Sequence, residues 1–251
     1  MIPNLQIMLM DPALQTSAEL ERDVLPRLHV TEQARYRVFA NPNRRQTWLA
    51  GRALLLAALA RRLGRVDATA LCTEPRGGVR YQDDAIHISL SHCRNLIAVA
   101  LAQTHIGVDV EMPRPRNALR HVEDVFSASE ARQLREMSET AQQEAFYILW
   151  TLKEAACKAA GISLWESLRG ARFDLDALNF SSQPPFPAGD WRFMSACIEP
   201  GWRIAAAVRD AGATFEVECW HLDAVEQWRR QELVRPVFLQ EKCSAADPAL
   251  S

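Results

Sequence analysis

Residues 106–111, Ile-Gly-Val-Asp-Val-Glu, alternate strictly between branched apolar side chains and small or acidic ones. Two-residue alternation is the period of a β-strand with one face buried. Ile106, Val108 and Val110 are committed to a core, and Gly107, Asp109 and Glu111 share the opposite face. Two acidic side chains on one strand face lie roughly 7 Å apart at their Cα atoms, close enough to reach one ion between them. Like charges at that spacing repel unless something positive stands there. Hard oxygen donors favour Mg2+ or Mn2+, which keep room for substrate phosphates. A solvated face at a sheet edge is the plainer reading of the same pattern. Gly107 weighs against it, because a strand glycine often marks the close approach of a ligand or another backbone.

Forty residues on, Trp150 to Lys158 (Trp-Thr-Leu-Lys-Glu-Ala-Ala-Cys-Lys) has good helix formers and neither Gly nor Pro. Helical geometry sets Glu154 and Lys158 one turn apart on one face. Such a pair suits a phosphate centre, the carboxylate holding a cation and the ammonium meeting anionic oxygens. It also fits an ordinary surface ion pair worth roughly 0.3–0.5 kcal/mol.

The 251 residues are 48% hydrophobic and 24% charged, a globular composition with ample core for one large or two small domains. No apolar run approaches the length of a membrane span, and the N-terminus lacks a secretory pattern, so a cytoplasmic chain without membrane contact is expected. Six cysteines with no CxxC pair read as reduced structural thiols. The net charge of −2 hides an asymmetry. Residues 33–66 hold eight arginines and no acidic residue. A field so concentrated attracts anions: phosphorylated ligands or an acidic protein. The overall acidity and the lack of interleaved aromatics argue against nucleic acid.

Helices are expected over 31–39, over 44–63 with Gly64 as its stop, from the Ser127-x-x-Glu130 capping box to about Glu139, and over 141–160 with Gly161 as its stop. Strands are expected at 79–81, 86–91, 96–101, 106–111, 191–198, 202–209 and 214–221. Residues 181–190 read as a loop, 223–233 as a short helix, and 236–251 as a disordered tail. The fold class is α+β: two similar halves related by pseudo-two-fold symmetry, each with a long helix on a small, mainly antiparallel sheet. Their expected limits are 1–112 and 113–235. Ligands often sit at such seams. Asp109 and Glu111 end the first half and Glu154 lies in the second, so one metal could bridge both.

Gly107-x-Asp109-x-Glu111, followed by Trp150-x-x-Lys153-Glu154-Ala155-x-x-Lys158, resembles the signature of the 4′-phosphopantetheinyl transferase superfamily, long surfactin-synthetase-type group. Ala50-Gly51-Arg52 and Leu90-Ser91-His92 fit as well. The resemblance covers about residues 30 to 175. It implies transfer of phosphopantetheine from coenzyme A to a serine of an apo acyl or peptidyl carrier protein, with release of adenosine 3′,5′-bisphosphate. It implies that Asp109, Glu111 and Glu154 hold Mg2+, or Mn2+, at the pyrophosphate. It also implies that Glu154 or a water beside it takes the serine proton, and that Lys158 meets the pyrophosphate and helps the leaving group. Arg52, Ser91 and His92 would bind other phosphate oxygens. Leu56 stands where many relatives carry a second basic residue, and Gly77-Gly78-Val79 where many have Gly-Lys-Pro. Arg45, Arg76 or Arg80 would then supply rewired contacts. Carriers are acidic around the target serine, so exposed arginines would steer docking. No partner chain is needed to complete such a site, so a monomer is expected. The alternative is a non-catalytic, basic-faced protein binding an acidic partner. A Mg2+-dependent phosphohydrolase is a weaker third reading.

Overall fold

The computed structural model describes residues 5–74, 78–82, 85–114, 122–163, 170–209, 216–223 and 227–241. In chain order the elements are β1 (Leu5–Met10), α1 (Ser17–Asp23), α2 (Val30–Arg37), α3 (Pro42–Leu63), β2 (Leu71–Thr73), β3 (Val79–Tyr81), β4 (His87–Cys93), β5 (Leu96–Ala102) and β6 (Ile106–Glu111). There follow α4 (Val122–Val125), α5 (Ala128–Glu136), α6 (Glu139–Ala160), β7 (Ala171–Asp174), β8 (Asn179–Ser182), β9 (Trp191–Ile198), β10 (Trp202–Arg209), β11 (Val217–Leu222), β12 (Trp228–Arg230) and β13 (Val234–Glu241).

The fold is α+β. One sheet has the order β12-β11-β1-β5-β4, the other β6-β10-β9-β13-β8-β7, and β2 and β3 form a separate ribbon. Pairing is antiparallel except between β1 and β11 and between β13 and β8. Alternation sorts the side chains into layers. Met8 and Met10 of β1 pack with Leu54 and Leu55 of α3, while Leu5, Ile7 and Leu9 pack with Val108, Ile204 and Ala206 of the other sheet. Ala205 and Ala207 of β10 turn the other way, toward Leu152 and Ala156 of α6. Thus α3 covers one sheet, α6 covers the other, and an apolar layer lies between the sheets.

The long helices end where local chemistry dictates. Asn41 caps α3 by accepting from Arg44 N–H at 3.1 Å, and Pro42 follows at the first position. Gly161 closes α6 in the left-handed region at φ 67°. The predicted capping box opens α5: Ser127 N–H donates to Glu130 at 2.7 Å and Glu130 N–H to the Ser127 hydroxyl at 3.3 Å.

Two expectations are corrected. The helix near 223–233 is not formed among the described residues there, since 228–230 is strand β12 paired with β11. Trp220 and Trp228 on these strands receive the guanidinium of Arg61 from α3, 3.9 and 5.9 Å from their ring centroids, and that packing overrides helix propensity. The tail is ordered as strand to Glu241: β13 pairs with β9, and a register shift between Val234 and Val237 accommodates Pro236. Residues 242–251 lie outside the described residues. β1 pairs with β11 from the far end of the chain, and β6 is an edge of the second sheet.

Candidate active site

The site forms where two sheet edges meet. β4 is the outer strand of one sheet and β6 of the other. Alternate β4 side chains bridge the gap. The Ser89 hydroxyl accepts from Val108 N–H at 3.0 Å, Ser91 donates to Asp109 Oδ1 at 2.8 Å, and the Cys93 thiol donates to Glu111 Oε2 at 3.2 Å. Burial and the neighbouring Glu111 carboxylate keep the Cys93 thiol protonated by raising its pKa.

Gly107 lets α6 come down on this edge. A Cβ built on it would stand 1.9 Å from the Ala155 carbonyl oxygen and 2.7 Å from Ala159 N. The close approach suggested by this glycine is therefore made by backbone. It brings Lys158 onto the acidic strand, where the ammonium donates to Asp109 Oδ1 at 2.7 Å and to the Val108 carbonyl at 3.0 Å. Downstream, Arg114 N–H donates to the Tyr147 hydroxyl at 3.0 Å, tying the chain that leaves β6 back to α6.

Glu154 belongs to the same electrostatic group. Its pKa is raised, chiefly by burial; Lys158 pulls it down while Asp109 and Glu111 push it up. A raised carboxyl is neutral for longer as pH rises, which suits a group that takes up a proton. Stability linked to such a group is full below its unfolded value and is lost as pH rises through the folded one. Glu154→Gln, which cannot ionise, is therefore expected to be more stable than the parent at pH 8, with the difference closing below about pH 4. Urea titrations at the two pH values, with chelator present, would check this.

Asp109 is 6% exposed, and its Oδ2 is buried without a hydrogen-bond partner among the described residues. A buried, unpaired carboxylate oxygen carries a desolvation cost that a cation would relieve. Among the described residues, no group of three or more His, Cys, Asp and Glu side chains is placed to hold a metal ion. The three carboxylates thus share one field without forming a preassembled cage. The donor chemistry still fits Mg2+, which binds through one or two carboxylates completed by substrate phosphates.

His92 is exposed on β4. Its imidazole pKa is held down by the protein packed around it, then by the charges of Lys158 and Arg44, against the pull of Asp109. Sequence reasoning had not singled out Arg44. Two other candidates are committed elsewhere. Arg52 is buried, with Nε 2.7 Å from Glu32, a second nitrogen 2.8 Å from the Thr73 hydroxyl, and Trp48 beneath its guanidinium at 4.4 Å. Arg45 donates to the Phe39 and Arg37 carbonyls at 2.7 and 3.2 Å. Arg76 lies outside the described residues. Lys153 points away from its neighbour Glu154 in the motif. It is fully buried, 3.0 Å from Glu130 and bonded to the Ala171 carbonyl. Glu130 also accepts from Phe173 N–H at 2.9 Å, so it joins α5, α6 and β7 as well as closing the cap. Ser89 and Cys93 were also missed; their signal was the small polar side chains Ser89, Ser91 and Cys93 at every second position of the strand.

A family profile described as the 4′-phosphopantetheinyl transferase superfamily matches residues 105–207, a span holding β6 and α6. The chain is 29% identical over 219 residues to the 4′-phosphopantetheinyl transferase HetI of Nostoc sp., covering 84% of this chain and 89% of that protein. It is 31% identical over 157 residues to the 4′-phosphopantetheinyl transferase AcpT of Salmonella typhimurium, covering 57% of this chain and 79% of that protein. A third relative, the 4′-phosphopantetheinyl transferase psf-1 of Bacillus pumilus, is 29% identical over 139 residues, covering 55% and 59%. The profile and these relatives make the chain an enzyme of group transfer. This chain belongs to the 4′-phosphopantetheinyl transferase superfamily.

Proposed function

We propose that this enzyme moves 4′-phosphopantetheine from coenzyme A to a serine hydroxyl of an apo acyl or peptidyl carrier protein, releasing adenosine 3′,5′-bisphosphate. The observation that carries the proposal is the Asp109 carboxylate, bonded on one oxygen to Ser91 and Lys158 and unpartnered on the other, with Glu154 in the same field.

Phosphoryl transfer asks a protein mainly for positioning and charge neutralisation. Lys158 supplies a fixed positive group for a diphosphate: its ammonium is anchored on Asp109 and Val108 and remains partly exposed. Ser91 holds the carboxylate, and His92 presents an imidazole on the neighbouring position of β4. Glu154 is the group on this chain suited to accept the serine proton. Mg2+, or Mn2+ in its place, would be held by Asp109, Glu111 and Glu154 and when bound would offset phosphate charge. The nucleotide end of coenzyme A is assigned to Arg44 on the arginine-rich segment, whose charge reaches His92, with Arg76; Arg45 and Arg52 brace that segment through their own partners. We also infer membership of the long, surfactin-synthetase-type group, as two pseudo-symmetric halves that exchange edge strands.

The test is direct. Purified protein, coenzyme A, Mg2+ and a panel of apo acyl and peptidyl carriers are incubated and the carriers weighed by mass spectrometry. The expected result is the gain of one phosphopantetheine on the carrier serine, lost when Mg2+ is chelated. A folded enzyme that modifies no carrier would refute the proposal.

A further inference from the structure

β4 and β6 belong to different sheets yet advance in step. His87 meets His105 with ring centroids 4.7 Å apart, Ser89 meets Val108 N–H, Ser91 meets Asp109 and Cys93 meets Glu111. The Ser91–Asp109 and Cys93–Glu111 contacts both span 18 residues, so successive odd positions of one strand serve successive odd positions of the other. This seam is closed by side chains. As a consequence, each acidic residue of β6 receives its own donor from β4.

The two donors are unequal. Asp109 is gripped by a hydroxyl and an ammonium and is 6% exposed. Glu111, at the outer end of β6, is half-buried and receives a thiol. A thiol is a weak single donor, so it orients a carboxylate while leaving its other lone pairs free for a cation. A carboxylate with no donor would be free to swing toward solvent, away from the unpartnered Oδ2 of Asp109 that shares its strand face.

We propose that Cys93 is a positioning residue for the transfer centre: its S–H holds Glu111 on the Asp109 side of β6, in the orientation that a metal–diphosphate complex needs. The proposal rests on the function proposed above. Groups that orient ligating carboxylates generally affect metal affinity by about 10–100-fold, and a thiol should lie at or below the lower end.

The experiment compares the parent with Cys93→Ala and Cys93→Ser in calorimetric titrations of coenzyme A over a series of Mg2+ concentrations, without carrier. Cys93→Ala is expected to need about three- to tenfold more Mg2+ for half-maximal coenzyme A binding. Cys93→Ser, which restores a donor, should stay within about twofold of the parent. In parallel transfer assays, the alanine variant should regain the parental kcat at saturating Mg2+. The proposal is overturned if the alanine variant titrates like the parent, or if both variants weaken equally together with their melting temperatures, which would indicate packing alone. Asp109→Asn separates the two levels of the argument. If it loses Mg2+-dependent binding while Cys93→Ala does not, Cys93 has no positioning role and the transfer centre stands. If the parent itself binds coenzyme A without regard to Mg2+, the metal reading of the centre falls, and the role of Cys93 with it.

Discussion

Asp109→Ala is expected to lower carrier modification by about three orders of magnitude while leaving the fold intact. The size follows from how many functions meet in one side chain. Its Oδ1 takes the Ser91 hydroxyl and the Lys158 ammonium, and its Oδ2 is the buried oxygen without a partner. Removing it withdraws a charge from the proposed diphosphate site and frees Lys158 to swing. The fold should tolerate the change. Lys158 keeps the Val108 carbonyl and partial exposure, Ser91 is a neutral hydroxyl, and a buried carboxylate with an unpaired oxygen is itself a destabilising element. Carrier mass read over time gives the rate, and a melting curve within a few degrees of the parent shows that the loss is chemical. Retention of more than a tenth of parental activity would remove Asp109 from the centre.

The legible parts of this molecule were those written in local periodicity and caps. The strand 106–111 was recovered to the residue, because Ile106, Val108 and Val110 enter the layer between the sheets while Asp109 and Glu111 do not. The helices α3 and α6 were recovered to within two residues at each end because Gly64 and Gly161 stop them. Lys158 stands on Asp109 and Glu154 lies in the same field, a proximity to which the paired motifs of the resemblance pointed and local periodicity did not. Non-local pairing was not legible. β1 reads Leu-Gln-Ile-Met-Leu-Met and is buried throughout, but nothing in it names β11, more than 200 residues away, as its parallel neighbour. Sequence gave no means to see that Arg52 and Arg45 would be bonded to Glu32, Thr73 and the end of α2, because both look like ligands for anions until their own partners are known. Lys153 is the instructive case. It sits between motif residues in the chain, and one step of helical rotation sends it to Glu130 on the opposite side of α6 from the acidic strand.

Gly107→Ala should be the most damaging single-methyl change in the molecule. The new Cβ would stand 1.9 Å from the Ala155 carbonyl oxygen, 2.7 Å from Ala159 N and 2.8 Å from the Ala155 carbonyl carbon. All three are backbone atoms of a helix interior, so no rotamer change can relieve the contact; either α6 lifts or β6 bends. Overpacking of rigid neighbours costs at least about 3 kcal/mol, or a fall in melting temperature of roughly 6–12 °C for a chain of this size. Lifting α6 also carries Glu154 and Lys158 away from Asp109, so transfer should fall further than stability alone explains. Gly51→Ala supplies the contrast. Its Cβ would meet Leu90 Cδ1 at 3.2 Å, the end of a flexible side chain that can shift. That variant should lose no more than about 1 kcal/mol and keep most of its activity. Thermal melts and carrier-mass rates on both proteins decide the matter. Equal stability of the two would mean that α6 does not rest on Gly107, and the route by which Glu154 and Lys158 reach the acidic strand would have to be sought elsewhere.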